Sequence, residues 1–300
     1  MEEVLGIDIG GTNVKISPVN KSGEVLHKEK FPTAPMNEDG KFLENFIPII
    51  REQLGKYPNI QKVGIGIPGN ITKDRQSIIN LPNIPGMDNV AIIPELKKNF
   101  PEHDFFLEND AAAAAYGEYI FSKDTLPDSL IFITLGTGVG GGAIIDGKLF
   151  AGGDGNAMEV GHMIASNGKL IEHNIGKKGI VMLAEEILEK SNKDSLMRPV
   201  EILGIKEIAK CAKKGDKLAL ETFNLVGRYL GQCIVSSVRV LDIKYILIGG
   251  GVSKTIDYIE EGMWQEIRSY LPPFYTDHMK IKVASMGNDA GILGAAALCF

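Results

Sequence analysis

The hydrophobic pattern of the chain is laid out twice. Val4 to Ile9 is an apolar run interrupted by Asp8 near its end, and Gly10-Gly11-Thr12 follows. A short branched run closed by a glycine turn predicts a buried strand. A second strand-like run covers Val14 to Val19, Asn20-Lys21-Ser22-Gly23 gives a turn, and Glu24 to Lys30 predicts a third strand. The plan returns at Leu130 to Leu135, with a glycine turn over Gly136-Thr137-Gly138-Val139-Gly140-Gly141. Gly142 to Ile145 then reads as a strand, Asp146-Gly147 as a hairpin turn and Lys148 to Ala151 as the third strand.

Downstream elements match as well. Lys62 to Ile67 is a buried strand running into Pro68-Gly69, and Lys244 to Ile248 runs into Gly249-Gly250-Gly251. Phe105 to Asn109 leads into an alanine-rich helix from Asp110, and Ile281 to Ser285 leads by way of Gly287 into a helix over Ala290 to Leu298. Longer helical segments are expected over Asp39 to Lys56 and Gly215 to Val240. Matched elements in one order imply a duplicated α/β unit. We expect two lobes with a cleft between them, each pointing a glycine hairpin into it. Backbone N–H groups in such turns form anion nests, and two of them suit a ligand with several phosphates.

Composition narrows the class. Lys and Arg number 32 against 38 Asp and Glu, a net charge of −6, which offers no basic excess for nucleic acid. Hydrophobic residues at 44% and charged residues at 23% exclude a disordered chain. Three scattered cysteines with no CxxC fit a reducing compartment. The start, Met1-Glu2-Glu3, lacks the basic region of a signal peptide. The long uncharged stretch from Ser129 to Ile145 is too rich in glycine for a membrane helix. The expectation is a cytoplasmic protein with no membrane or nucleic-acid partner. There is no P-loop, no G-x-S-x-G and no H-E-x-x-H. Gly136-x-Gly138 is followed by a strand, where a Rossmann fingerprint needs a helix.

Several stretches together resemble a known family. Asp8-Ile9-Gly10-Gly11-Thr12-Asn13-Val14-Lys15 resembles the first phosphate motif of the sugar-kinase/actin/Hsp70 superfamily. Leu135 to Gly142 resembles its second phosphate motif, and Gly249-Gly250-Gly251-Val252-Ser253 its adenosine motif. Pro82-Asn83-Ile84-Pro85-Gly86, Glu108-Asn109-Asp110-Ala111 through Gly117-Glu118, and Glu159-Val160-Gly161-His162 narrow the resemblance to the ROK family of sugar kinases and repressors. It spans Asp8 to Gly294.

The resemblance implies an α/β fold of duplicated ribonuclease H-like, actin-type ATPase domains. A small lobe would comprise residues 1–118 and 290–300, and a large lobe residues 119–289. It implies ATP-dependent phosphorylation of a hexose at the 6-hydroxyl, with glucose the first expectation. N-acetylmannosamine, N-acetylglucosamine, mannose and fructose stay open. Asp110 would be the general base. On the residues alone, Asn109 or Asp110 could equally cap the alanine helix, and both roles can hold together. Asp8 would hold Mg²⁺ through water, or simply brace the glycine turn. Gly10, Gly11, Thr12 and Asn13 would donate to phosphates, with Lys15 either adding charge or standing in solvent. Thr137 and Gly138 would face the phosphates from the other lobe. Gly250 and Gly251, with Gly287, would flank adenosine. Gly69, Asn83, Asn109, Glu159 and His162 would bind the sugar. A homodimer is expected by family precedent only.

One departure matters. Relatives carry a C-x-C-G-x-x-G-C-x-E zinc motif, and here the matching stretch is His173 to Met182. His173, Ile175 and Ile180 replace its cysteines, and Met182 replaces a sugar-contacting glutamate. Two histidines do not close a tetrahedral site. We expect no structural zinc and an apolar contact around Ile175 and Ile180 in its place, and Met182 leaves the choice of sugar open. A non-enzymatic sugar sensor is the alternative of a different class. ROK repressors carry an N-terminal DNA-binding module, and with Asp8 almost at the start of this sequence we expect none here.

Overall fold

A computed structural model describes residues 2–300. Its two main sheets repeat one plan. The first is ordered β3-β2-β1-β4-β7 and the second β10-β9-β8-β11-β12. In the first, β1 (Glu3–Ile9), β2 (Asn13–Asn20) and β3 (Glu29–Pro32) form an antiparallel meander. Strands β4 (Lys62–Ile67) and β7 (Asp104–Asn109) then extend it in parallel with β1. In the second, β9 (Val139–Ile145) lies beside β8 (Leu130–Leu135) in the sheet and pairs antiparallel with β10 (Lys148–Leu149). Strands β11 (Tyr245–Gly249) and β12 (Lys280–Val283) extend it in parallel with β8. A small hairpin of β5 (Asn70–Ile71) and β6 (Ile78–Asn80) follows β4.

Chain contacts divide the molecule into two compact units. One runs from the N-terminus to Asp128 and includes residues 142–158 and 285–300; the other holds residues 129–141 and 159–284. In the first, Ile7, Ile65, Phe42 and Phe46 are fully buried in one core. The helices Asp110–Phe121 and Ala290–Ala297 pack closely there. Their contact depends on glycine: a Cβ on Gly117 would lie 2.7 Å from the Gly294 backbone. Glu118 is fully buried at this contact and accepts hydrogen bonds from the Ser285 and Met286 N–H groups and the Ser285 hydroxyl at 2.7–3.1 Å. In the second unit the long helix Lys217–Leu241 packs against Ile256–Tyr270.

Two expected boundaries differ. The third strand begins at Glu29, since only Val25 bridges back to Val19 and Leu26 is exposed. The second glycine turn is shorter than its glycines suggest, because β9 already begins at Val139. Gly142 is part of that strand: a Cβ there would lie 2.5 Å from that of Ala115. The Asp146-Gly147 turn is as expected, with φ of 50° and 76°, the positive pair a tight hairpin needs.

Candidate active site

In the first unit, parallel pairing brings three loops together. Asp8 pairs with Gly66, and Gly66 with Glu108. The carboxyl ends of β1, β4 and β7 therefore stand side by side, the edge where open parallel sheets bind ligands. The Gly10 turn, the Gly69 turn and the Asn109-Asp110 helix start all leave from this edge.

Asp110 is the first residue of its helix, with Asn109 at the cap. The Asn109 side-chain oxygen accepts from the Ala111 and Ala112 N–H groups at 3.0 and 3.1 Å. Its amide nitrogen donates to the Gly69 carbonyl at 3.1 Å. One Asp110 oxygen accepts from the Ala111 N–H at 2.8 Å. Capping therefore belongs to Asn109, and the Asp110 carboxylate sits one residue further at the positive end of the helix. The Gly69 carbonyl is already engaged by Asn109, and at φ 95° the residue needs to be glycine.

The first glycine turn is partly self-satisfied. The Gly10 N–H donates to the Asn13 carbonyl at 3.0 Å, and the Gly10 carbonyl accepts from the Thr33 hydroxyl at 2.6 Å. Gly11 lies against Asn83, whose Cβ would be 3.0 Å from a Cβ at Gly11. Lys15 is paired: its Nζ donates to Asp8 Oδ2 at 2.7 Å, with Asp8 15% and Lys15 39% exposed. The carboxylate of Asp8 also abuts Gly291 in the first turn of the C-terminal helix.

The second unit holds its own groups. Its strand ends repeat the arrangement, since Gly249 pairs with Thr134 on β8. The turn Gly136-Thr137-Gly138 closes with the Gly136 N–H donating to the Gly138 carbonyl at 2.9 Å, and Thr137 is exposed. Gly250, at φ 82°, presses on the Leu135 carbonyl, so a side chain there has no room. Gly251 has open space around it and starts a short 3₁₀ turn. Glu159 precedes the 3₁₀ turn Val160–His162, and His162 Nδ1 lies 3.4 Å from Glu159 Oε2. The two side chains therefore share a face of this turn.

The sequence matches the ROK family over residues 4–300. This chain belongs to the ROK family. A glucokinase of Thermotoga maritima is 30% identical to it, over 99% of this chain and 96% of that protein. The crystal structure of a sugar-kinase candidate from Cytophaga hutchinsonii is similar with a TM-score of 0.94 at 41% identity, over 99% of each chain. The ROK glucokinase of Streptomyces griseus, solved with glucose and AMPPNP, gives 0.79 at 28% identity, again over 99% of each. The fold is thus the actin-like ATPase fold of ROK sugar kinases.

In this ROK chain the altered zinc stretch forms helix Ile171–Ile175 and the start of Lys177–Lys190. Ile175 and Ile180 are fully buried, His173 is exposed, and Met182 is 51% exposed. Among the described residues no group of three His, Cys, Asp or Glu could hold a metal ion. Nor is any described helix long and apolar enough to cross a membrane.

Four residues at these sites escape a reading by motif. Glu172 accepts from the Val139 N–H at 3.5 Å and lies 4.0 Å from His162 Nε2, linking the end of the Gly136–Gly138 turn to the histidine within the second unit. Gly291 makes room for Asp8. Arg75 and Glu108 form an ion pair at 2.9 Å beneath Asn109. Burial pushes the Glu108 carboxyl up from its ordinary value, against the pull of the Asn109 N–H and Arg75. Glu108 stands in the matched motif but has no chemistry in sequence terms; the others carry no local signal.

Proposed function

We propose that this chain is an ATP-dependent hexose kinase, with glucose the first candidate, and that Asp110 is its general base. One observation carries the reading. Asp110 opens a capped helix at the edge shared by the Gly10 turn and the Gly69 turn. A carboxylate so placed can accept the proton of a sugar hydroxyl as the phosphoryl group transfers. In that step the hydroxyl oxygen bonds to the γ-phosphorus, the bond to the β,γ-bridging oxygen breaks, and ADP leaves. Membership of a family with glucokinases supports the sugar-kinase level of this reading.

The other roles are those the family resemblance implies. Gly11, Thr12 and Asn13 face one side of the triphosphate, with Lys15 near them through Asp8. Thr137 and Gly138 offer the second turn, and Gly250 and Gly251 admit the flat adenosine close to backbone. Gly69, Asn83, Asn109, Glu159 and His162 bind sugar hydroxyls. Mg²⁺ would arrive with the triphosphate and neutralise its charge. Asp8 is a hard oxygen donor of the kind Mg²⁺ uses alongside water and phosphate, so it fits that role. The functional division we propose is residues 1–118 with 290–300 for the first phosphate turn and the sugar contacts of Gly69, Asn83, Asn109 and Asp110, and 119–289 for the second phosphate turn, the adenosine turn, Glu159 and His162.

Phosphorus NMR of the products from Mg-ATP and a sugar panel tests this. The panel is glucose, mannose, fructose, N-acetylglucosamine and N-acetylmannosamine. A sugar 6-phosphate from one of them is expected. Binding of a sugar and ATP without any phosphorylated product would favour a sensor instead.

A further inference from the structure

Arg75 occupies a position that arginine does not favour. It lies in the turn between β5 and β6 at φ 59°, in the left-handed region. Local strain of this kind persists where surrounding contacts fix it. Here the Arg75 Nε donates to Glu108 Oε2 at 2.9 Å, and the Glu108 side chain is only 7% exposed. Such a buried pair adds little net stability over apolar packing. What it supplies is direction.

The two oxygens of Glu108 face different ways. Oε2 takes the guanidinium, and Oε1 accepts the Asn109 N–H at 2.9 Å. Asn109 in turn holds the Gly69 carbonyl and the first helical N–H groups. A continuous chain of bonds thus runs from Arg75 to the residue before Asp110. The far side of Arg75 is also fixed. Nη1 is buried without a hydrogen-bond partner and lies against Gly155, which at φ 94° has no side chain to displace it. The same glycine loop is tied to the hairpin by Asn156. Its side-chain oxygen accepts from the Ile71 N–H and its nitrogen donates to the Ile71 carbonyl, both at 2.9 Å.

We propose that Arg75 and Glu108 are positioning residues that set the first turn of the Asp110 helix, and with it the reach of the Asp110 carboxylate. The link to catalysis rests on Asp110 being the base; the link to the helix start does not.

The test combines amide hydrogen exchange with kinetics on the full chain, for wild type, Arg75→Met, Arg75→Lys and Arg75→Met/Glu108→Gln. Arg75→Met should speed exchange at the Ala111 and Ala112 amides about tenfold or more. It should lower kcat about 10- to 100-fold while KM for ATP stays within about twofold. Lysine restores charge without the Nε–H geometry and should recover part of kcat. The double variant leaves no unpaired buried charge, so it should fold and melt within about 5 °C of wild type. It should still show the faster exchange and the lower kcat. Wild-type exchange at both amides in the folded double variant would overturn the inference. Faster exchange with wild-type kcat would overturn its link to Asp110. If exchange quickens but the wild type phosphorylates no sugar, the pair still sets the helix start, and the kinase reading is what fails.

Discussion

A Cβ on Gly291 would lie 2.5 Å from Asp8 Cγ, so a side chain there would displace the acid. Gly291→Ala should therefore move the residue assigned to Mg²⁺ without removing a charge. We expect kcat/KM for Mg-ATP to fall about tenfold or more, with sugar affinity unchanged in equilibrium titration. Unaltered kinetics would show that the position of Asp8 is unimportant. At this scale the sequence was informative about position wherever a residue closes an apolar strand or opens a helix. Asp8, Asn109 and Asp110 stand where their motifs imply, at strand ends and a helix start. Gly291 and Arg75 were illegible because their meaning lies in distant neighbours. One is a small residue in an apolar helix, the other an arginine in a polar turn, until Asp8 and Glu108 are placed beside them.

Among the elements, helix starts show how local chemistry fixes long segments. Asp216 caps the helix Lys217–Leu241, accepting from the Leu218 and Ala219 N–H groups at 3.0 and 2.9 Å and from the Leu196 N–H. Burial pushes its carboxyl up, but the backbone N–H bonds from Ala219, Leu196 and Leu218 and the Ser195 bond outweigh this and hold it below the ordinary 3.8. A lowered carboxyl stabilises the fold above the unfolded value and loses that contribution as pH falls through the folded one. Asp216→Ala should cost about 1–2 kcal/mol in denaturant unfolding at neutral pH. The difference from wild type should shrink below about pH 4. A difference independent of pH would assign the loss to packing. Element types were legible from period and turn residues, since β1, β4, β8 and β11 coincide closely with their apolar runs. The start of β9 was not, because Val139, Gly140 and Gly141 read as part of the glycine turn while they already belong to the strand.

For the whole molecule, the two sheet orders β3-β2-β1-β4-β7 and β10-β9-β8-β11-β12 are the duplication seen in the chain pattern. That was legible because each half repeats its turns in the same sequence. The compact unit that joins residues 142–158 and 285–300 to the N-terminal part is held by contacts between segments far apart in sequence. The three cysteines report on the folded state of both units. Burial pushes the Cys233 and Cys299 thiols up to about 12 and raises Cys211. All three should resist a thiol-specific reagent at pH 8 in the native protein and react in denaturant. Rapid native labelling of Cys233 would contradict its placement in the core.

The central claim, that Asp110 removes the proton from a sugar hydroxyl, is tested most directly by comparing wild type and Asp110→Ala. Phosphoryl transfer should be followed with Mg-ATP and the best sugar, and sugar affinity measured in parallel. The account predicts a loss in kcat of about 10²- to 10⁴-fold in the variant, with sugar still bound. A variant that retains wild-type kcat would contradict it.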